Sequence, residues 1–252
     1  MVPLFAKEYG AGKTLLFIHG FPMHQQVWED FILPFVKNYH VITLDLPGFG
    51  KSPGLQSPFS LDDVADQILT FIDEKELHDI AVIGHSLGGY VALAMIAKEP
   101  DAFSSICLFH STALADSREK KESRNKVIEF VEKNGSEAFT TNFIAPLFAD
   151  ANNASIEHVK DIAKQSSAEA VMGYTLAMRD RTDKRDVLRD FQKPSLFIVG
   201  NRDQGIPVES IHQQVVACNF SEMHILDQVG HMGMYENPGE SAIEIMAFLA
   251  KI

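Results

Sequence analysis

Ser86 lies in Gly84-His85-Ser86-Leu87-Gly88-Gly89, directly after Ile80 to Ile83, an apolar run of strand length, and directly before a helical pattern. A Gly-x-Ser-x-Gly in a strand-turn-helix context makes a turn so tight that side chains two residues either side of the serine would collide. That turn pushes the serine into a strained conformation with its hydroxyl exposed. A serine hydroxyl is a weak nucleophile at neutral pH; it needs a base to take its proton and a third group to orient that base. Two further strand ends offer them: Gly200-Asn201-Arg202-Asp203 follows Leu196 to Val199, and Gly230-His231-Met232-Gly233 follows Met223 to Leu226. Ser86, Asp203 and His231 thus stand in the order nucleophile, acid, base, each beyond the carboxyl end of a strand. Among the ten histidines, His85 adjoins the serine on its strand side and is expected to point away, and His110, ending its own strand, to line the pocket. Asp116 and Asp227 are the rivals of Asp203 for the acid.

Attack on a carbonyl develops an oxyanion, which backbone N–H donors stabilise by about 3 kcal/mol each. The amide of Leu87 is one candidate donor, and that of Phe21, in His19-Gly20-Phe21-Pro22 after the run Thr14 to Ile18, is the other. Phe21, Leu87, Trp28 and Met232 are expected to crowd the acyl side, with Trp28, His110 and Met232 touching substrate. Asp45-Leu46-Pro47-Gly48-Phe49-Gly50-Lys51-Ser52 ends like a phosphate-binding loop but has Asp45 where that motif requires glycine. No HExxH or CxxC spacing points to a metal, and no cofactor is expected.

To position these loops, short apolar runs must alternate with amphipathic helices. His40 to Leu44 and Ile106 to Phe109 complete six such runs, the pattern of a mostly parallel sheet with helices on both faces. Gln25 to Val36 carries apolar residues at helical spacing, Ser60 caps a helix with Asp62 and Asp63 in its first turn, Tyr90 to Lys98 forms the next, and Asn237-Pro238 starts the last. From 111 to 193 no strand-like run occurs. That stretch is expected as an inserted helical cap, with Ser136, Ser155 and Ser167 as helix caps, between core segments 1–110 and 194–252. Its apolar residues, including Phe139, Phe143, Leu147, Phe148 and Met178, exceed what solvated helices need, so some must cover a pocket or the main domain.

The motifs HGFP, DLPGFGKS, GHSLGG, GNRD and GHMGMYENP, in that order, resemble the α/β-hydrolase superfamily over nearly the whole chain. The branch most similar is that of small esterases, enol-lactonases and cofactor-free perhydrolases, through HGFP followed by Trp28 and a compact helical cap. The resemblance implies Ser86 as nucleophile, Asp203 as acid, His231 as base, and Phe21 and Leu87 as oxyanion donors. Haloalkane dehalogenases and epoxide hydrolases resemble this fold too but carry Asp where Ser86 stands. The implied activity is hydrolysis of a small carboxylic ester or lactone by water through an acyl-enzyme. Thioester or C–C hydrolysis on the same triad, or a non-catalytic receptor keeping the fold, are the alternatives.

Composition narrows the partners. With 22 Lys plus Arg against 34 Asp plus Glu the net charge is −12, which repels nucleic acid and anionic lipid. Two cysteines are too few for a disulfide framework, and Cys107 in an apolar run reads as a buried hydrophobe. No signal-peptide pattern and no apolar stretch near 18 residues occur, so a cytoplasmic, non-membrane protein is expected.

Overall fold

The computed structural model describes residues 3–252. Seven strands, β1 (Ala6–Tyr9), β2 (Lys13–Ile18), β3 (Tyr39–Leu44), β4 (Ile80–His85), β5 (Phe103–Phe109), β6 (Ser195–Gly200) and β7 (Ser221–Leu226), form one sheet in the order β1-β3-β2-β4-β5-β6-β7. All pairings are parallel except β1 with β3. The chain goes from β2 outward to β3 and then returns across β2 to β4, so the carboxyl ends of β2 and β4 meet where the winding reverses, the usual place for a ligand crevice.

Alternation along the inner strands divides the core. Leu16, Ile18, Ile42, Leu44, Val82 and Leu108 face α1 (Leu61–Glu74) and α2 (Leu87–Lys98); Leu15, Phe17, Val41, Ile83, Cys107 and Phe109 face the other layer. The Ser60 hydroxyl caps α1 by accepting from Asp63 N, while Asp63 accepts from Ser60 N, a reciprocal pair. Between β5 and β6 lie α3 (Arg118–Asn134), α4 (Ser136–Phe143), α5 (Ile156–Ala163), α6 (Ala168–Asp180) and α7 (Arg185–Asp190), with no strand among the described residues. After β6 come α8 (Val208–Ala217), α9 (Gly233–Glu236) and α10 (Pro238–Leu249), the last capped by Asn237. No helix is long and apolar enough to cross a membrane among the described residues.

Two local expectations need correction, and one strand was not anticipated. Gln25 to Val36 is a four-residue 3-10 helix, Gln25–Trp28, followed by turns, although Val27, Trp28, Phe31, Ile32 and Phe35 are buried as their spacing suggests. Pro34 has no N–H to give to Asp30 O, so the ladder of a regular helix is interrupted there and the segment continues as successive turns. Of the three serine caps only Ser167 caps with its side chain; Ser136 is already inside α4, Ser155 makes no side-chain cap bond, and Ser117 caps α3 instead. The strand β1, Ala6-Lys7-Glu8-Tyr9, escapes an apolar-run search because it is a short edge strand carrying two charges.

Candidate active site

Ser86 bridges β4 and α2 at φ 51° and ψ −115°, a conformation that costs a non-glycine residue roughly 1–3 kcal/mol. Its surroundings hold it there: Ser86 N–H donates to Phe109 O (3.0 Å), and its carbonyl accepts from the Ser111 hydroxyl (2.7 Å) and from Gly89 N–H (3.0 Å). A Cβ at Gly84 would lie 2.5 Å from Gly89 N, and one at Gly88 would overlap the Ile18 carbonyl, so both glycines are required by space.

Asp203 and His231 meet across the loops after β6 and β7. His231 Nδ1 lies 2.7 Å from Asp203 Oδ2, and Asp203 Oδ1 accepts from Gly205 N (2.8 Å) and Ile206 N (2.9 Å). The two loops are laced by Asn201 N donating to Leu226 O and Arg202 N to Val229 O. Burial alone would raise the Asp203 pKa; the charge of protonated His231 and hydrogen bonds from His110 and His231 outweigh it and hold the carboxyl far below its usual range. The rival carboxylates are elsewhere. Asp116 is clamped by Arg124 and Arg181, and Asp227 is exposed and accepts from Asn201 Nδ2.

Sequence reasoning placed His110 in the pocket; it is instead fully buried behind Asp203, with Nδ1 3.2 Å from the same Oδ2 that faces His231. Its φ of 48° and the bond from its N–H to Ile198 O (2.7 Å) fix it at the end of β5. Burial lowers its pKa, which keeps the ring neutral, and a neutral ring serves Asp203 as a donor only in the Nδ1–H tautomer. The carboxylate then holds four N–H donors. The imidazole nitrogens facing it carry protons rather than lone pairs, which suits a proton-transfer site and not a metal site. His85 points away from the serine side, as expected: it is fully buried, its Nε2 lies 2.8 Å from His231 O, and burial holds its pKa well below 6.5. Burial likewise lowers His19 to about 4. Leu46 N donates to its Nε2 (2.9 Å), which leaves the proton on Nδ1 facing Gly20 O (3.0 Å) and ties the turn after β2 to the loop after β3. In that loop Asp45 accepts from Gln25 N and Lys51 N, so the acidic residue that spoils a phosphate loop serves as a loop brace.

Ser86 and His231 line one cavity of about 250 Å³ with Phe21, Tyr90, Lys120, Ser123, Arg124, Val127, Phe143, Leu147, Met178, Gly205 and Ile206. Phe21 is therefore where the motif puts it, packed edge-on to Phe143 with ring centroids 5.7 Å apart. Among the described residues neither the Phe21 nor the Leu87 amide has an acceptor. Trp28 and Met232 do not reach the cavity. Both are fully buried in the layer beneath, Trp28 between Phe17, Phe31 and Phe109, because the broken segment 25–36 turns its apolar face to the sheet. The Leu87 side chain is also core, so of the four residues expected to crowd the acyl side only Phe21 lines the space. A larger cavity of about 460 Å³, between α1 and the end of α6, shares Tyr90 but contains neither Ser86 nor His231.

Two features had no signal in a motif search. Glu236 accepts from Gly230 N and Met232 N (3.0 Å each) and from Ala149 N (2.7 Å), while His231 N donates to Leu147 O, so the insertion braces the histidine loop. Lys120 and Arg124 enter the cavity from a helix that reads as an ordinary charged surface. The Lys120 ammonium donates to Gly205 O (2.7 Å); desolvation there lowers its pKa, with Arg124 and Arg181 adding, although the residue as a whole is solvent-exposed.

Similarity to known proteins gives the family of the fold. A thermophilic esterase from Thermogutta terrifontis, described with malate bound, superposes with a TM-score of 0.92 at 28% identity, covering 98% of this chain and 93% of that one. A pimeloyl-[acyl-carrier protein] methyl ester esterase of Vibrio vulnificus is 25% identical over 96% of both chains. The dihydrolipoyllysine-residue acetyltransferase component of the acetoin cleaving system of Pseudomonas putida is 27% identical over 95% of this chain, which spans 64% of that relative's length. The family model for the alpha/beta hydrolase fold matches residues 13–238, and the chain belongs to that family.

Proposed function

We propose that the protein hydrolyses small carboxylic esters through an acyl-enzyme on Ser86. The observation that carries this reading is the 2.7 Å His231–Asp203 pair opening with Ser86 onto one cavity, the serine held on a strained turn. His231 takes the Ser86 proton as Oγ bonds to the ester carbonyl carbon, and the oxyanion is received by the amides of Phe21 and Leu87. The C–O bond to the alcohol breaks, and His231 returns the proton to the departing oxygen. A water then gives its proton to His231 and attacks the acyl carbon; the Ser86 ester bond breaks, Oγ recovers the proton, and the acid leaves. Residues 111–193 act as a cap, a role supported by Val127, Phe143, Leu147 and Met178, which wall the cavity from α3, α4, the turn after it and α6. A reducing cytoplasm suits the two unpaired cysteines, Cys107 and Cys218.

The esterase relatives, one of them described with malate bound, favour esters over C–C bonds. A fluorophosphonate reagent, which phosphonylates activated serines, tests the reading: it should label the native protein at Ser86 and fail on Ser86→Ala. Absence of labelling in the native, folded protein, together with no turnover of p-nitrophenyl acetate or butyrate, would favour a receptor.

A further inference from the structure

Among the helices beside the site, α3 presents a distinctive face. Lys120, Ser123, Arg124 and Val127, at i, i+3, i+4 and i+7, all line the cavity that holds Ser86 and His231. The rest of the wall is mainly apolar, from Phe21, Tyr90, Phe143, Leu147, Met178 and Ile206, and no acidic side chain lines it. Outside the reacting residues, the charged and hydroxylic residues lining the space are thus Lys120, Arg124, Ser123 and Tyr90, and both charges are positive.

The arrangement is held in place. Arg124 gives Nε to Asp116, whose other oxygen takes Arg181 Nη1 at 2.7 Å, and Arg181 lies 4.1 Å from the Tyr90 ring centroid. Nη1 and Nη2 of Arg124 have no partner among the described residues, and Lys120, fixed by one bond to Gly205 O, makes no ion pair there. Three cations therefore share the single buried charge of Asp116; Asp203, the next carboxylate, is engaged by His231 and His110. Glu119 and Glu122 also lie on α3, but Glu122 is paired with exposed Arg118, and neither lines the cavity. A surplus of positive charge beside an apolar, partly desolvated space is costly to leave uncompensated, and it is the counterpart of an anion.

We infer that Lys120, Ser123 and Arg124 form a subsite for a carboxylate, so that the substrates are esters bearing a second, anionic group rather than neutral esters. This rests on the ester-hydrolase reading and deepens it. A solvated helix face would carry such residues too, but without the Gly205 and Asp116 anchors that fix these two cations in the wall of the cavity holding Ser86.

The test compares kcat/KM for mono-p-nitrophenyl glutarate with p-nitrophenyl valerate, and for 4-acetoxybenzoate with phenyl acetate, after subtracting spontaneous hydrolysis. These pairs put the carboxylate on the acyl and the alcohol side respectively. At least one anionic ester should be preferred by about tenfold or more, equivalent to about 1.4 kcal/mol, and the ratio should fall as ionic strength rises. Lys120→Gln should cut that ratio about tenfold, whereas Lys126→Gln, which removes the same charge from the same helix away from the cavity, should leave it. Arg124 is left intact, since its loss would strip Asp116 of a partner. Ratios near one for both pairs, or an equal fall with Lys126→Gln, would overturn the subsite. Calorimetric binding of glutarate reads it without turnover: weaker binding in Lys120→Gln supports the subsite even if no ester is cleaved, an outcome that would count against the ester reading alone, and equal binding by native protein and variant counts against the subsite.

Discussion

Asp203 accepts at both oxygens, and its two histidines are not equivalent. His231 opens on the cavity, where the proposed mechanism has it exchange protons with substrate, whereas His110 is sealed behind the carboxylate and in that mechanism only holds it. Replacing the acid by an amide should be far more damaging than removing the second histidine. For Asp203→Asn we expect kcat lower by about 10³–10⁴, through loss of the imidazole tautomer that accepts from Ser86. For His110→Ala we expect about a tenfold loss, because one hydrogen bond to a charged group contributes roughly 1.5–3 kcal/mol and only part reaches the transition state. Steady-state kinetics on the same p-nitrophenyl ester compares them; equal losses would mean that His110 takes part in proton transfer. Ser86, Asp203 and His231 could be proposed together from the sequence because each follows the carboxyl end of a strand in a short glycine-marked motif. His110 was misread: its position at the end of β5 suggested a pocket, and the pattern carries no sign that its left-handed backbone turns the ring towards Asp203.

At the scale of elements, the loop after β7 depends on a carboxylate at the end of the four-residue helix that follows it. Glu236 closes α9 and takes three backbone N–H groups, two from the histidine loop and one from the segment after α4. Its removal leaves the part-buried Gly230 and Met232 donors, and the exposed Ala149 donor, without this partner. Glu236→Ala should therefore destabilise the protein by roughly 2–4 kcal/mol and lower kcat, while Glu236→Gln, which keeps an acceptor oxygen, should lose less of both. Urea unfolding and kinetics on the two variants decide it, and an Ala variant as stable as the native protein would show the brace to be idle. Six of the seven strands were readable from their apolar runs, the charged edge strand β1 being the exception, and α1 and α10 from Ser60 and Asn237. The segment 25–36 was not: its periodicity reports burial truthfully, but Pro34 decides the backbone. That difference moved Trp28 from the pocket to the core.

For the whole molecule, size and charge of the site follow from how helices α3, α4 and α6 meet the sheet. A cavity of about 250 Å³ lies below the roughly 300–1,000 Å³ common for drug-sized ligands, so kcat/KM along a p-nitrophenyl ester series should peak at acetyl to butyryl and fall beyond hexanoyl. Rates still rising at decanoyl would mean that the insertion opens a longer channel. The expectation of short acyl chains is the one first drawn from Phe21, Leu87, Trp28 and Met232, but its physical basis is now Phe21 with Tyr90, Phe143, Leu147 and Met178. Fold stability should also respond to pH. His19, His85 and His110 are fully buried with lowered pKa values, so below about pH 6.5 the unfolded chain binds protons that the folded one does not, and stability falls on acidification. With His19 at about 4, that residue alone should remove about 2 kcal/mol between pH 7.5 and 5, a Tm lower by roughly 4–8 °C. The depressed carboxylates Asp116 and Asp203 lose their contribution only at lower pH, near and below 4, so they do not mask this window. A Tm flat from 7.5 to 5 would mean that the buried histidines find protons in the folded state.

The central claim is a covalent acyl intermediate on Ser86, and acid-quenched mass spectrometry of the protein during turnover of p-nitrophenyl acetate reads it directly. The account predicts a species heavier by one acetyl group, mapped to the peptide containing Ser86, released with time by water, and absent from Ser86→Ala, which should also lose nearly all turnover. An acetyl group on another residue, or undiminished turnover in Ser86→Ala, would contradict it.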